Sequence, residues 1–224
     1  LYNGAPSSVV PAYAFEDDTD TGMGQDGANN LTFISGGSKK LQLDANSRIS
    51  LSNNDGNSFN TVFGKDALTN NGTVLGNVGA DYNSFFGEGV AGTGTTTTAV
   101  GNVGVGWVAL QDLTAGSDNI AIGQAAGHEI TTGNNNVLVG ANAGSTMTTQ
   151  DEMVLIGYQA GAAVNSDNSD GTVAVGYQAL QDLTSGQNNT AVGYRALADL
   201  TTGDYNTAVG YGALDAITTG LDNT

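Results

Sequence analysis

The sequence predicts an all-β chain: a parallel β-solenoid of about nine coils, each about seventeen residues long, behind a small β-rich module. Three observations predict it. A phrase recurs at short intervals, as in TAVGYRALADLTTGDYN from Thr190 and TAVGYGALDAITTGLDN from Thr207. Each phrase holds one short β-branched run bounded by Gly, Asn, Asp and Thr, the signature of a strand between turns. Glycine supplies 34 of the 224 residues while proline supplies 2, which suits tight repeated corners and excludes a collagen-like chain.

The repeat comes first because a fixed period sets the whole architecture. Its anchor is the glycine of AVGY, at Gly64, Gly87, Gly106, Gly123, Gly140, Gly157, Gly176, Gly193 and Gly210. The spacing is 17 residues at five of the eight joints, 19 at two and 23 at the first. Positions are counted below from this glycine. Position −1 is always apolar and includes Val175, Val192 and Val209. Position +3 is Ala in every phrase except that of Val90. Position −4 is Asn in seven phrases: Asn60, Asn83, Asn102, Asn119, Asn136, Asn189 and Asn206. Position +1 is mixed and ends in Tyr158, Tyr177, Tyr194 and Tyr211.

Pieces such as ALADL are too short to stand as helices before the next turn cluster. Each phrase is therefore one coil: strand, corner, short segment, corner. Stacked parallel strands advance about 4.8 Å each, so nine coils make a rod on the order of 43 Å long. Equal positions then form ladders, with Asn joined through side-chain amides and Tyr through stacked rings. Runs such as VLV before Gly140 and VLI before Gly157 are apolar throughout, so both faces of the strand are expected to be buried. Val192 and Val209 are expected to point into the coil, with the other face packed on neighbouring copies in a threefold assembly.

Residues 1–58 lack the repeat. Strands are expected at 12–15, 31–34, 40–43 and 48–51, with turns at DDTDTG, QDGANN, SGGSKK and DANS. This module is expected to cap the first coil, because a solenoid end exposes strand edges. The last phrase breaks off at Thr224, and the repeat is expected to run on.

Charge is uneven. Residues 1–65 hold 7 acids and 4 bases; residues 66–224 hold 15 acids and one base, Arg195, within a total of −17. Such a surface repels nucleic acid and anionic lipid. No apolar run approaches the ~18 residues of a membrane span. Cysteine is absent, which removes disulfides and thiolate metal sites.

Catalytic signals are thin. His128 is the sole histidine, so a Ser–His–Asp triad or a His-rich metal site has little to be built from, and a solvated corner is the reading. Asp17, Asp18 and Asp20, or Asp167 and Asp170, offer hard oxygens to Ca²⁺. The loop pattern wants Glu at its twelfth position, where Ala28 stands, so solvated turns are preferred and no cofactor is assigned. Asp151, Glu152 and Glu129 are the candidate carboxylates for glycoside cleavage; the recurring corner acids Asp112, Asp182 and Asp199 read as surface charge or turn chemistry. Threonines in GTGTTTT and the TTG corners either carry O-linked sugars or bond within turns. Sequons stand at Asn30, Asn71 and Asn188. Trp107 shares the tyrosine column, where packing is preferred to sugar stacking.

The phrases NTAVG, NIAIG and NNVLVG resemble the head repeats of trimeric autotransporter adhesins. NTAVGYxAL with TTGxxN corners is also similar to repeats of bacteriophage tail-fibre-like proteins, over residues 60–224. The first resemblance implies a left-handed parallel β-roll that trimerises. Together they imply a non-enzymatic extracellular fibre, on a virion or a cell surface, that attaches to a glycan or protein receptor. A self-assembling filament without a receptor is the alternative, and a sugar-cleaving tailspike the third reading.

Overall fold

In the computed structural model the chain divides into two compact units, Leu1–Ser58 and Phe59–Thr224. The structure describes residues 13–15, 18–24, 31–35, 38–43, 49–51, 60–70, 73–74, 79–94, 96, 98–166 and 169–224. No α-helix occurs among them.

The first unit is an antiparallel sheet in the order β1(Tyr13–Phe15), β2(Asp18–Gly24), β3(Leu31–Ser35), β4(Ser38–Leu43) and β5(Ile49–Leu51). Four of these match the expected strands closely. The fifth corrects the sequence reading: Asp18–Gly22 of DDTDTG belongs to the strand Asp18–Gly24 and not to a turn. Gly22 and Met23 pair with both β1 and β3 and anchor that strand, while its acidic start is joined to β1 through Asp18 and Phe15, across a register jump after Ala14. SGGSKK likewise contracts to a tight connection, because Ser35 already pairs with Ser38. On β3, Phe33 is exposed and Ile34 buried, the alternation of a half-buried strand.

The second unit is a parallel β-solenoid. Its nine-stranded sheet runs β6(Thr61–Phe63), β9(Ser84–Phe86), β10(Val103–Val105), β11(Ile120–Ile122), β12(Val137–Val139), β13(Val154–Ile156), β14(Val173–Val175), β15(Thr190–Val192) and β16(Thr207–Val209). Every pair is parallel and in register, for example Ala121 with Leu138 and Ala191 with Ala208. About seven regular turns connect β9 to β16. The long joint after Gly64 carries a small hairpin, β7(Thr69–Asn70) with β8(Thr73–Val74), so that insertion leaves the stack as a side excursion.

Each strand has three residues, and its middle one points inward. Phe85, Ala121, Leu138, Leu155, Ala174 and Ala191 are fully buried. Val192 and Val209 correct the expectation: they are 36% and 70% exposed and face outward. The physical reason is the period of two. With position −2 committed to the core, positions −3 and −1 must both face out.

The core keeps its volume by exchange. The inward residue at −2 and the corner residue at +4 pair as Phe85 with Ala91, Gly104 with Leu110, Leu138 with Gly144, Leu155 with Gly161, Ala174 with Leu180 and Ala191 with Leu197. One partner is large and the other small. The +4 corner lies in the left-handed region, with φ of 51° at Leu180 and 53° at Leu197. A side chain there costs about 1–2 kcal/mol, while burying a leucine returns about 1.5–3 kcal/mol. Leucine therefore holds the corner where it can fill the core, and glycine holds it where the strand already does; the coil of Ala121 and Gly127, small at both positions, is the exception.

The repeat glycine is set by its neighbour in the next coil. A Cβ on Gly123 would lie 2.5 Å from the carbonyl oxygen of Gly140, at φ +138°. Gly171 has an open setting inside the stack: at φ +69° a Cβ there would meet the Asn188 side chain at 2.9 Å and no backbone of the next coil. We expect Gly171→Ala to cost the local strain, about 1–3 kcal/mol. Gly123→Ala must also push two backbones apart, so its denaturation midpoint should fall much further. Equal losses at the two sites would show that the carbonyl contact does not set the glycine.

Candidate functional site

Asparagine forms an internal ladder in two runs, Asn60 to Asn136 and Asn189 to Asn223. The Nδ2 of Asn83, Asn102, Asn119 and Asn136 each donates to the Oδ1 of the Asn one coil earlier, at 2.9–3.0 Å. Asn206 does the same to Asn189 at 3.0 Å. The same Oδ1 atoms accept the backbone N–H of the next Asn, as from Asn136 to Asn119 at 3.1 Å. The second amide proton goes to a backbone carbonyl at position −7 of the next coil, such as Asn119 to Gly133 at 2.8 Å. All of these Asn residues except Asn60 and Asn223 are 0–1% exposed. A buried amide is tolerated only when its bonds are made, and in Asn83, Asn102, Asn119 and Asn206 both donors and both lone pairs are used.

The ladder is interrupted at Met153 and Thr172. Met153 offers only its backbone N–H to Asn136, at 2.9 Å. In these coils Gln150 and Ser169 stand at position −7, which holds Gly116, Gly133, Gly186 and Gly203 elsewhere and Ala80 and Ala99 beside two of the asparagines. A Cβ on Gly133 would run into the Gln150 carbonyl oxygen, and one on Gly186 into that of Gly203, so the next coil's backbone sets these glycines. Gln150 Oε1 accepts the backbone N–H of Thr148 at 2.7 Å, while Gln150 Nε2 and Ser169 Oγ are buried without a partner.

Two outer ladders explain the polar corners. At position −6 a side-chain oxygen accepts the backbone N–H of the previous coil: Asn134 from Ser117 at 2.9 Å, Asp151 from Asn134 at 2.6 Å, Asp170 from Asp151 at 2.9 Å and Asp204 from Gln187 at 3.0 Å. Asp151 and Asp170 are therefore turn acceptors. Threonine hydroxyls at position +8 donate to the next coil's carbonyls, as Thr114 to Thr131 at 2.8 Å and Thr184 to Thr201 at 2.9 Å. Hydrogen bonding thus accounts for these threonines. Asp199 lies 3.4 Å from Arg195, Glu129 and Asn188 are exposed, and His128 is half-buried in a corner. Glu152 sits at a left-handed corner, φ 58°. Asp17, Asp167, Asn30 and Asn71 lie outside the described residues, as do the side chains of Asp18 and Asp20. Among the described residues no three His, Cys, Asp or Glu gather as a metal site, and no helix is long and apolar enough to cross a membrane.

The outward face of the nine-stranded sheet is an uncharged, partly exposed surface. Positions −3 and −1 present Val, Ile, Thr, Ser and Phe with no charge in any coil. Phe63 and Phe86 stack at 5.2 Å, and both are at least 40% exposed. Beside them Tyr158, Tyr177, Tyr194 and Tyr211 stack in series at 5.3, 5.0 and 5.0 Å between centroids. That spacing is set by the strand separation. Ring faces are spent on one another, leaving edges and hydroxyls to solvent.

Trp107 departs from this pattern. Its neighbours in the column are Glu88 and Gln124, which have no ring to stack. The indole is 55% exposed and lines a groove of about 470 Å³ with Asp66, Glu88, Gln111 and Thr93. A second groove, of about 510 Å³, follows the corner glycines Gly186 and Gly203 beside Ser185, Thr202 and Asp204.

Comparison with known protein families, with curated proteins and with solved structures finds no match to this chain.

Proposed function

We propose that this chain is part of an extracellular attachment fibre, similar to a phage tail fibre or an adhesin head. In it about nine coils stack into a rod, and three copies close around their apolar sheet faces. Its work is mechanical reach and surface attachment rather than catalysis. One observation carries the reading: a chain of net charge −17 keeps one continuous sheet face free of charge. Two such chains repel over most of their surfaces, and this face is where they can approach without setting acid against acid. Exposed apolar stripes of this extent favour an interface, and identical ladders in identical copies are self-complementary under rotation. The threefold number and the extracellular setting rest on the repeat phrases and their resemblance.

Light scattering with small-angle X-ray scattering tests it. The expected particle is a narrow rod of about three chain masses. Val139→Asp, on the outward face, should lower the mass to that of one chain while the coil stays folded. An open-ended polymer would favour the filament without a receptor. A compact single chain would end the assembly argument.

A further inference from the structure

We infer that the Trp107 groove is a binding subsite for an uncharged sugar ring of a surface glycan. The inference rests on the attachment reading above and gives that reading its ligand class.

The indole is the first reason. A column built to stack rings places its one tryptophan between Glu88 and Gln124, so both faces lack a ring partner. The indole N–H donates to no group among the described residues. More than half of this side chain meets water, though the tyrosines downstream are ordered by mutual contact. An amphipathic aromatic left in this state suits a ligand with one apolar face and a polar rim. A pyranose has that form: axial C–H groups on a face, hydroxyls around the edge.

The rest of the groove supplies the rim partners. Glu88 and Asp66 have side chains 56% and 48% exposed and share Lys65, at 3.6 and 3.5 Å. Carboxylate oxygens accept sugar hydroxyls, and Gln111 offers both a donor and an acceptor. Gly89 and Gly92 leave the floor without side chains. The volume falls within the ~300–1,000 Å³ of small-ligand sites. The two carboxylates outnumber Lys65, their shared cation, and this net negative charge in a chain of −17 opposes sialylated, uronic or sulfated sugars. Hence the ligand class is neutral.

Trp107 is the chain's sole tryptophan, so its emission reports on this site alone. The full chain is titrated with neutral gluco-, galacto- and manno-oligosaccharides and with a sialylated one. A saturable change in emission with a neutral probe, and none with the sialylated probe, is expected. Trp107→Ala should weaken binding of that probe, followed by calorimetry, by about tenfold; Glu88→Gln should weaken it less. Unchanged thermal melting of both variants shows that the coil is intact. Emission that no neutral probe alters, or Trp107→Ala binding as tightly as the parent, overturns the inference. So does an indole shielded from a soluble quencher in the assembled protein, since another copy then covers the groove. The mass of the same sample separates the two proposals. A three-chain rod that binds no sugar removes only the glycan, and a single chain that binds one removes only the trimer.

Discussion

Replacing Asn119 by Ala is expected to cost about 3–5 kcal/mol, counting two stripped buried groups at about 1–3 kcal/mol each plus a small cavity. The loss is larger than a surface asparagine could produce because the amide is shared. Its Oδ1 accepts both the N–H and the Nδ2 of Asn136, at 3.1 and 2.9 Å. Its Nδ2 donates to Asn102 Oδ1 and to the Gly133 carbonyl, at 3.0 and 2.8 Å. Alanine leaves the Asn136 N–H without its acceptor and removes the side-chain donor at Gly133, in a place water does not reach. Asn119→Asp keeps the acceptor but sets a carboxylate against two acceptor oxygens, so it should be worse still. Asn134→Ala is the internal control. It removes the same chemical group from a half-buried corner, where water can satisfy the Ser117 N–H, and should cost about 0.5–1 kcal/mol. Denaturant unfolding of the three variants decides the matter. Similar losses at Asn119 and Asn134 would mean that the inner ladder adds nothing beyond an ordinary corner bond.

Much of this was legible in the sequence, and the limits have physical causes. A strict period fixes register, so the parallel stack and the Asn and Tyr ladders could be read from columns alone. The direction of the strand residues could not. VLV, VLI and IAI are apolar at every position, which erases the alternation that separates core from surface. Val192 and Val209 were therefore placed inward, although they line the outer face. DDTDTG misleads for the opposite reason: its composition is that of a turn, but Gly22 and Met23, paired on both sides, anchor a strand that begins at Asp18. Trp107 was assigned to the tyrosine ladder because columns were compared as types. Its isolation depends on which residues stand one coil above and below it. The core exchange was hidden in the same way. Ala191 and Leu197 lie six residues apart and look unremarkable singly; only the pair shows conserved volume.

That exchange makes the second large prediction. Leu197→Gly removes a fully buried side chain and should cost about 3–5 kcal/mol, the upper part of the leucine truncation range, because two ordered coils limit collapse into the space. The relief of its left-handed corner, at φ 53°, offsets about 1–2 kcal/mol of a still larger loss. Ala191→Leu alone forces a larger group against Leu197 and should cost about 1–3 kcal/mol. The double variant recreates the arrangement of Leu138 with Gly144 and of Leu155 with Gly161, where the strand fills the core and glycine turns the corner. Its loss should be well below the sum of the two single losses, with a coupling of about 2–3 kcal/mol. Simple additivity would show that each coil's interior is filled by contacts to the coils above and below rather than by this pair. The coil of Ala121 and Gly127 already lies toward that limit. Both of its positions are small, and a Cβ on Gly127 would meet Leu138 Cδ1 at 2.7 Å and Leu110 Cδ2 at 3.2 Å from its neighbours. Volume can thus be borrowed along the stack. The variant pair is best placed at Ala191 and Leu197 because the coils on both sides already carry leucine at their corners, Leu180 and Leu214, leaving no empty neighbour to absorb the change.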